Sequence, residues 1–230
     1  MQFTVNELQI GKPNPAYLFF WLHFSGFHFL LQNPRNVSFK TRQKMKNQGI
    51  RLRFAVVTAI VLTLALSRLM PHPFNFSPVA ALALFGGAHY RNRYAAYLIP
   101  LLAVWISDLM LNFSFYGHFV AFYSGAFFTY AAFAVIVLLG SALLNKLTAG
   151  RLLVSALSAS VVFFLVSNFG VWAFSGMYSP DLTGLLNCYA AAIPFFRNTL
   201  AGDLVYSFTV FYGYALATRR MASFSIHDAQ

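Results

Sequence analysis

Asp108 and Asp203 lie inside stretches otherwise apolar enough to cross a membrane, and they are two of only five acidic residues in 230. A carboxylate in a bilayer is costly, so it faces a protein-lined cavity or a partner and usually marks a functional site. The polar residues that share such stretches are therefore the candidates for chemistry. Arg68, Asn75, Asn112, Asn168, Arg197 and Asn198 are the others, with Trp172 one helical turn beyond Asn168 on the same face. Guanidinium groups pair with anions, carboxylates with cations or N–H donors, and amides with either. The set suits non-covalent recognition of a small polar molecule.

Composition sets the class. The chain is 59% hydrophobic and 9% charged, with mean hydropathy +0.62. A soluble domain carries about a quarter charged residues. So little charge cannot cover a water-facing surface, and the chain reads as an integral, all-α, polytopic membrane protein. The formal charge of +11 is not a nucleic-acid footprint, because the basic residues fall in short clusters between apolar runs. One cysteine, Cys188, excludes an internal disulfide and multi-cysteine metal sites.

The chain divides into a head and a body. Residues 1–44 hold a polar start, an apolar patch at Ala16–Leu31 and a basic, Asn-rich stretch. As a helix the patch is roughly 24 Å long, short of a ~30 Å hydrocarbon core. Met45 precedes a basic run into the first clear span, so translation is expected to start there, with residues 1–44 as an upstream extension; an interfacial helix or a seventh span are the alternatives. In the body, 45–220, continuous apolar runs predict six helices: Phe54–Met70, a short Ser77–Tyr90, Tyr94–Leu111, Phe119–Leu144, Leu152–Phe174 and Tyr189–Thr218. Residues 221–230 form a cytoplasmic tail.

Lys and Arg give the orientation. Lys40, Arg42, Lys44, Lys46, Arg51 and Arg53 precede the first helix. Arg91 and Arg93, then Lys146 and Arg151, then Arg219 and Arg220 follow at every second connection. The other connections hold only Arg68 and Arg197, so both ends of the body are expected in the cytoplasm. In that frame Arg68, Asp108, Asn168, Arg197, Asn198 and Asp203 gather at similar depth in the outer leaflet, predicting a polar pocket open outward. Each alone has a plainer role: arginines snorkel to the interface, aspartates pair with them, and Asn168 bridges helices. The outer connections add Pro71-His72-Pro73-Phe74-Asn75-Phe76, stiffened by proline, and Ser175–Cys188 with Tyr178 and Asp181, either a lid or a solvated linker.

No P-loop, HExxH, GxSxG or DxxD motif is present, and no nucleophile sits with a base, so the chain is not expected to be an enzyme. The histidines are scattered, and neither a metal nor a cofactor is expected.

The body, about Met45–Arg220, resembles the substrate-binding (S) components of energy-coupling-factor (ECF) vitamin transporters. The resemblance rests on the six-helix size, the cytoplasmic ends, and the Arg-Pro-rich first outer loop running into Asn75-Phe76-Ser77-Pro78-Val79-Ala80-Ala81. Pro100–Leu111 and Arg197-Asn198-Thr199-Leu200-Ala201-Gly202-Asp203-Leu204 extend it. It matches no ligand-specific subfamily and points to a transport branch of undefined cargo. The resemblance implies uptake of a vitamin-like metabolite across a bacterial inner membrane. Ligand would be bound from outside by Arg68, His72, Asn75, Asp108, Asn112, Asn168, Trp172, Tyr178, Arg197, Asn198 and Asp203. It also implies a transmembrane coupling protein and ATPase subunits as partners, met through a small-residue patch at Ala55 and Ala59 on the first helix. Two other readings stand beside it: a proton- or ion-coupled secondary carrier titrating Asp108 or Asp203, and a structural subunit of a membrane complex. With two Arg and two Asp, the charge of the ligand stays open.

Overall fold

A computed structural model describes residues 34–227 and, of their side chains, those of residues 43–44 and 47–219. The apolar patch at 16–31 and the tail beyond His227 lie outside the described residues. Two units divide at Arg53 and Phe54. In the first, the described residues are helical. Among the described residues the fold is all-α, with six helices: α1 (Pro34–Ser67), α2 (Val79–His89), α3 (Arg93–Tyr116), α4 (Ala126–Leu143), α5 (Ala149–Phe174) and α6 (Leu182–His227).

The helices are inverted relative to those of a soluble bundle. On α3 the exposed stripe is Leu98, Leu102, Ile106, Met110 and Phe113. Its buried face is Ala96, Pro100, Ala103, Val104, Ser107 and Asp108. On α5 the outward residues are Val154, Leu157, Val161 and Leu165, whereas Ser155, Ala156, Ala159 and Ser160 face in. Large apolar groups outside with small and polar ones inside is the pattern of helices whose surroundings are lipid and whose mutual contacts rest on close packing. Among the described residues four helical segments are long and apolar enough to cross a membrane: Asn47–Ser67, Arg93–Tyr116, Ala126–Leu143 and Ala149–Phe174. By the length and composition of these helices the protein is a membrane protein, all-α among the described residues.

α2 is the centre. Nine of its eleven residues are buried, and it packs on α3, α4, α5 and α6. At roughly 16 Å it is too short to span a bilayer as a helix. Glycines let its neighbours approach: a Cβ on Gly87 would land on the Val137 carbonyl of α4, one on Gly140 of α4 on the Leu84 carbonyl, and one on Gly86 on the Pro100 ring of α3. α1 presents Val57, Val61, Leu64 and Ala65 to the core, a spacing of 4, 3 and 1 that keeps one face inward. Its Thr58 hydroxyl shares a 2.8 Å hydrogen bond with the Tyr90 hydroxyl.

Three expected helix starts shift, and the largest shift is in α1, which begins at Pro34, not Phe54, because the basic, Asn-rich stretch before the apolar run is helical too. α4 begins at Ala126, not Phe119. Gly125 in front of it sits at φ 82, a left-handed conformation that glycine adopts freely, while the Asn112 amide and the Trp105 indole donate to the Val120 and Ala121 carbonyls and tie the preceding strand of chain to α3. α6 begins at Leu182, seven residues ahead of the apolar run. The Asp181 carboxylate accepts the Gly184 N–H at 2.6 Å and the Asp181 carbonyl accepts from Leu185, an N-cap that starts the helix ahead of the long apolar run. The expected loop Ser175–Cys188 is thereby reduced to Ser175–Asp181, and Cys188 is a buried helical residue.

Asp181 gives this turn a pH dependence. The Gly184 N–H and then the Ser179 hydroxyl hold its carboxyl below the ordinary carboxylate range. A depressed value stabilises the folded turn above that range, and the contribution is lost as pH falls through the depressed value. Amide exchange at Gly184, corrected for its intrinsic rate, is expected to accelerate on acidification from about pH 5 to about pH 3, and Asp181→Asn should remove that dependence.

Candidate functional site

One end of the bundle holds the connections α1–α2, α3–α4 and α5–α6. There these connections and the helix segments beside them surround a partly open cavity of roughly 160 Å³ lined by Arg68, Asn75, Ser77, Val79, Ala80, Asp108, Tyr123, Thr129, Phe133, Phe163, Thr199 and Asp203. Five helices and two connections contribute to it. Proline rigidifies the stretch Pro71–Pro78, and the Asn198 amide nitrogen donates to the Phe74 carbonyl at 2.9 Å. Asn75 at φ 62 turns the chain, and Gly202 of α6 lacks the Cβ that would crowd the Ser77 nitrogen at 3.0 Å. The loop is thus seated on α6, next to Asp203.

The charges are arranged unequally. Arg68 Nη2 meets Asp108 Oδ1 at 2.7 Å, and Arg68 Nη1 donates to the Ser107 hydroxyl at 2.5 Å and, more weakly, to the Val104 carbonyl. The other oxygen of Asp108 accepts the Tyr130 hydroxyl at 2.7 Å. This pair is internally satisfied. Asp203 is 2% exposed and has no basic partner among the described residues. Its Oδ2 accepts the Ser160 hydroxyl at 2.6 Å, leaving Oδ1 without a protein partner there. The Ser77 hydroxyl, also at the cavity, is buried with no hydrogen bond. The Ser77 hydroxyl is a buried orphan and Oδ1 of Asp203 opens on the cavity, so both are completed by water or by a ligand held there.

Below Asp203 the floor is apolar. Phe133 stacks on Phe163 with centroids 5.2 Å apart, and Phe85, His89, Phe211 and Tyr214 cluster beyond. Among the described residues no three of His, Cys, Asp and Glu converge as metal ligands. Nothing in the lining pairs a nucleophile with a base. The arrangement can bind and orient a molecule.

Of the residues singled out by sequence, Arg68, Asn75, Asp108 and Asp203 line the cavity and the rest do not. Asn112 and Asn198 hold loops, as above. Asn168 donates to the Phe164 carbonyl of its own helix, and the Trp172 indole to the Ser179 carbonyl. His72 and Arg197 are exposed and Tyr178 is half-buried, all outside the lining. Tyr123, Thr129, Ser77 and Thr199 were missed, as was Tyr130 behind Asp108. Thr199 carried a usable signal, since it lies one helical turn before Asp203 on the same face.

Fold and site together define a polytopic α-helical membrane protein with a polar cavity at one end of its helices. The chain belongs to a family of unknown function (DUF6580), whose model matches residues 48–224 and so takes in every residue lining the cavity. No curated protein and no solved structure matches it.

Proposed function

We propose that the protein is the membrane-embedded substrate-binding component of an uptake system for a small metabolite. Ligand enters the cavity from the outer side, and separate coupling and ATPase subunits drive its delivery. In this reading the body crosses a bacterial inner membrane six times with both ends cytoplasmic. The short α2 is completed by the non-helical Pro71–Pro78 stretch, and α6 is the last span. The supporting observation is the cavity: it sits where the arginine-poor connections meet, carries an unsatisfied carboxylate, and is floored by apolar side chains. The resemblance to ECF substrate-binding components supports the same reading.

Affinity purification of the full chain from native membranes, with mass spectrometry of what accompanies it, tests the proposal. ATPase subunits and a bound metabolite are expected. Asp203→Asn is expected to weaken metabolite binding roughly 10- to 100-fold, the scale of a lost charge-assisted hydrogen bond, while thermal unfolding moves little. Ala55 and Ala59 lie exposed on α1, where small side chains permit close helix approach. Ala55→Trp should therefore dissociate the coupling partner in a pull-down and leave ligand binding intact; the reverse pattern contradicts the assignment.

A second reading is favoured by the lack of a cation at Asp203: a proton-coupled secondary carrier in which that carboxylate takes up and releases the proton. Uptake into vesicles that follows an imposed proton gradient with no ATPase present would select it.

A further inference from the structure

We infer that the cavity takes an organic cation, a ring or chain bearing a protonated nitrogen, and that Asp203 receives that nitrogen. The inference rests on the cavity being a ligand site, as proposed above, and adds the charge class of the ligand.

The lining holds one cation, Arg68, and two carboxylates, Asp108 and Asp203, a formal balance of +1 − 2 = −1 with both ionised. The cation is already committed. Both terminal nitrogens of Arg68 have protein partners, and each Asp108 oxygen is occupied. An anionic ligand would have to break this pair and would meet the Asp203 charge nearby. A cation meets the opposite situation, because an ionised carboxylate removed from water is stabilised by an opposite charge in hydrogen-bond contact.

The groups around Asp203 match the several N–H bonds of an ammonium or amidinium. Oδ1 of Asp203 accepts one. The Ser77 hydroxyl, buried without a partner, accepts a second. Thr199 donates its own proton to the Phe195 carbonyl, which leaves its oxygen free to accept. Phe133 and Phe163, stacked on each other, also line the cavity and give it an aromatic wall that packs against a flat or aliphatic body and favours a cation over an anion. Val79 and Ala80 complete an apolar wall. A bare metal ion would find too few oxygens, since hard cations take six or more oxygen ligands. An organic cation uses the acceptors and the aromatic wall together, and roughly 160 Å³ is the size of cavity that holds a single six-membered ring.

The test uses the purified full chain in detergent micelles at fixed salt. Benzylammonium and benzamidinium are compared with benzoate and benzyl alcohol by thermal shift and by isothermal calorimetry. The two cations are expected to bind at least about tenfold more tightly than benzoate or the alcohol, one factor of ten being about 1.4 kcal/mol. Asp203→Asn should abolish that preference, and Asp203→Glu, which keeps the charge, should retain it. The wild-type ranking stands as a test even where Asp203→Asn fails to fold. Preferential binding of benzoate or benzyl alcohol, an unchanged ranking in Asp203→Asn, or an equal shift from sodium ion alone overturns the inference. In the first case the protein still binds ligand and the charge assignment falls; in the second the preference for cations stands and Asp203 is not the group that receives them. Binding of no probe, charged or neutral, removes the binding-component reading with it.

Discussion

Arg68→Leu is expected to destabilise the protein by about 3–5 kcal/mol, the range for removing one member of a buried ion pair. The side chains of Arg68 and Asp108 are 14% and 12% exposed, so water screens them little. Without the guanidinium, Oδ1 of Asp108 is left in apolar surroundings, and Tyr130 satisfies only the other oxygen. Ser107 loses its donor as well, although its hydroxyl still donates to the Val104 carbonyl. Thermal unfolding in detergent should fall by roughly 10 °C, taking about 2–4 °C per kcal/mol for a chain of this size. The double variant Arg68→Leu/Asp108→Leu removes both charges and should recover most of the loss, because a buried pair contributes little net stability over apolar residues of similar volume. A double variant as unstable as the single one would mean that the arginine acts through packing alone.

The second large effect lies where α2 and α4 touch. Gly87 and Gly140 each face the other helix's backbone, at Val137 and Leu84. Both glycines lie three residues from the contact that their own helix supplies, so the two clashes flank a single crossing. Gly87→Ala or Gly140→Ala inserts a methyl group against a carbonyl rather than against a movable side chain. The helices must separate along a buried seam, and each change is expected to lower stability by about 3 kcal/mol, the upper part of the overpacking range. The pair should fall short of additivity, because helices already pushed apart have room for the second methyl. Gly213→Ala is the control. Nothing lies within 4 Å of its Cβ position, and alanine favours the helix by about 1 kcal/mol, so this variant should match or exceed the parent in a thermal melt. Equal behaviour of all three would contradict the close approach.

Both effects depend on features that sequence exposes unevenly. The long apolar runs located the helices, because a span must be continuous and must satisfy its own backbone. Depth along those runs brought Arg68, Asp108 and Asp203 to one level, and the three do line one cavity. Depth says nothing of rotation about the helix axis. Arg197 shares the level, yet it lies six residues before Asp203, roughly 240° around the helix at about 100° per residue, and it points away from the cavity. Asp203 is thereby left without the second arginine that would have balanced the site. The hydroxyls of Ser77, Thr129, Thr199 and Tyr130 went unnoticed for a different reason. Ser and Thr on apolar helices commonly bond their own helix's carbonyls, as Thr63 and Ser167 do here, so residue type alone does not separate a lining hydroxyl from a self-satisfied one. The amides show the reverse: Asn112, Asn168 and Asn198 have the chemistry of recognition, but their donors go to backbone carbonyls. Helix starts at Gly125 and Asp181 were hidden because local backbone geometry and capping set them, and neither changes a hydropathy average.

The central claim is that the cavity beside Asp203 holds a small metabolite. Native mass spectrometry of the full chain, released from membranes of cells that make it, tests this most directly. A single small adduct of defined mass is expected on the wild-type protein, absent from an equally well-folded Asp203→Asn protein. Wild-type and Asp203→Asn proteins with the same adduct, or with none when taken from native membranes, would contradict it.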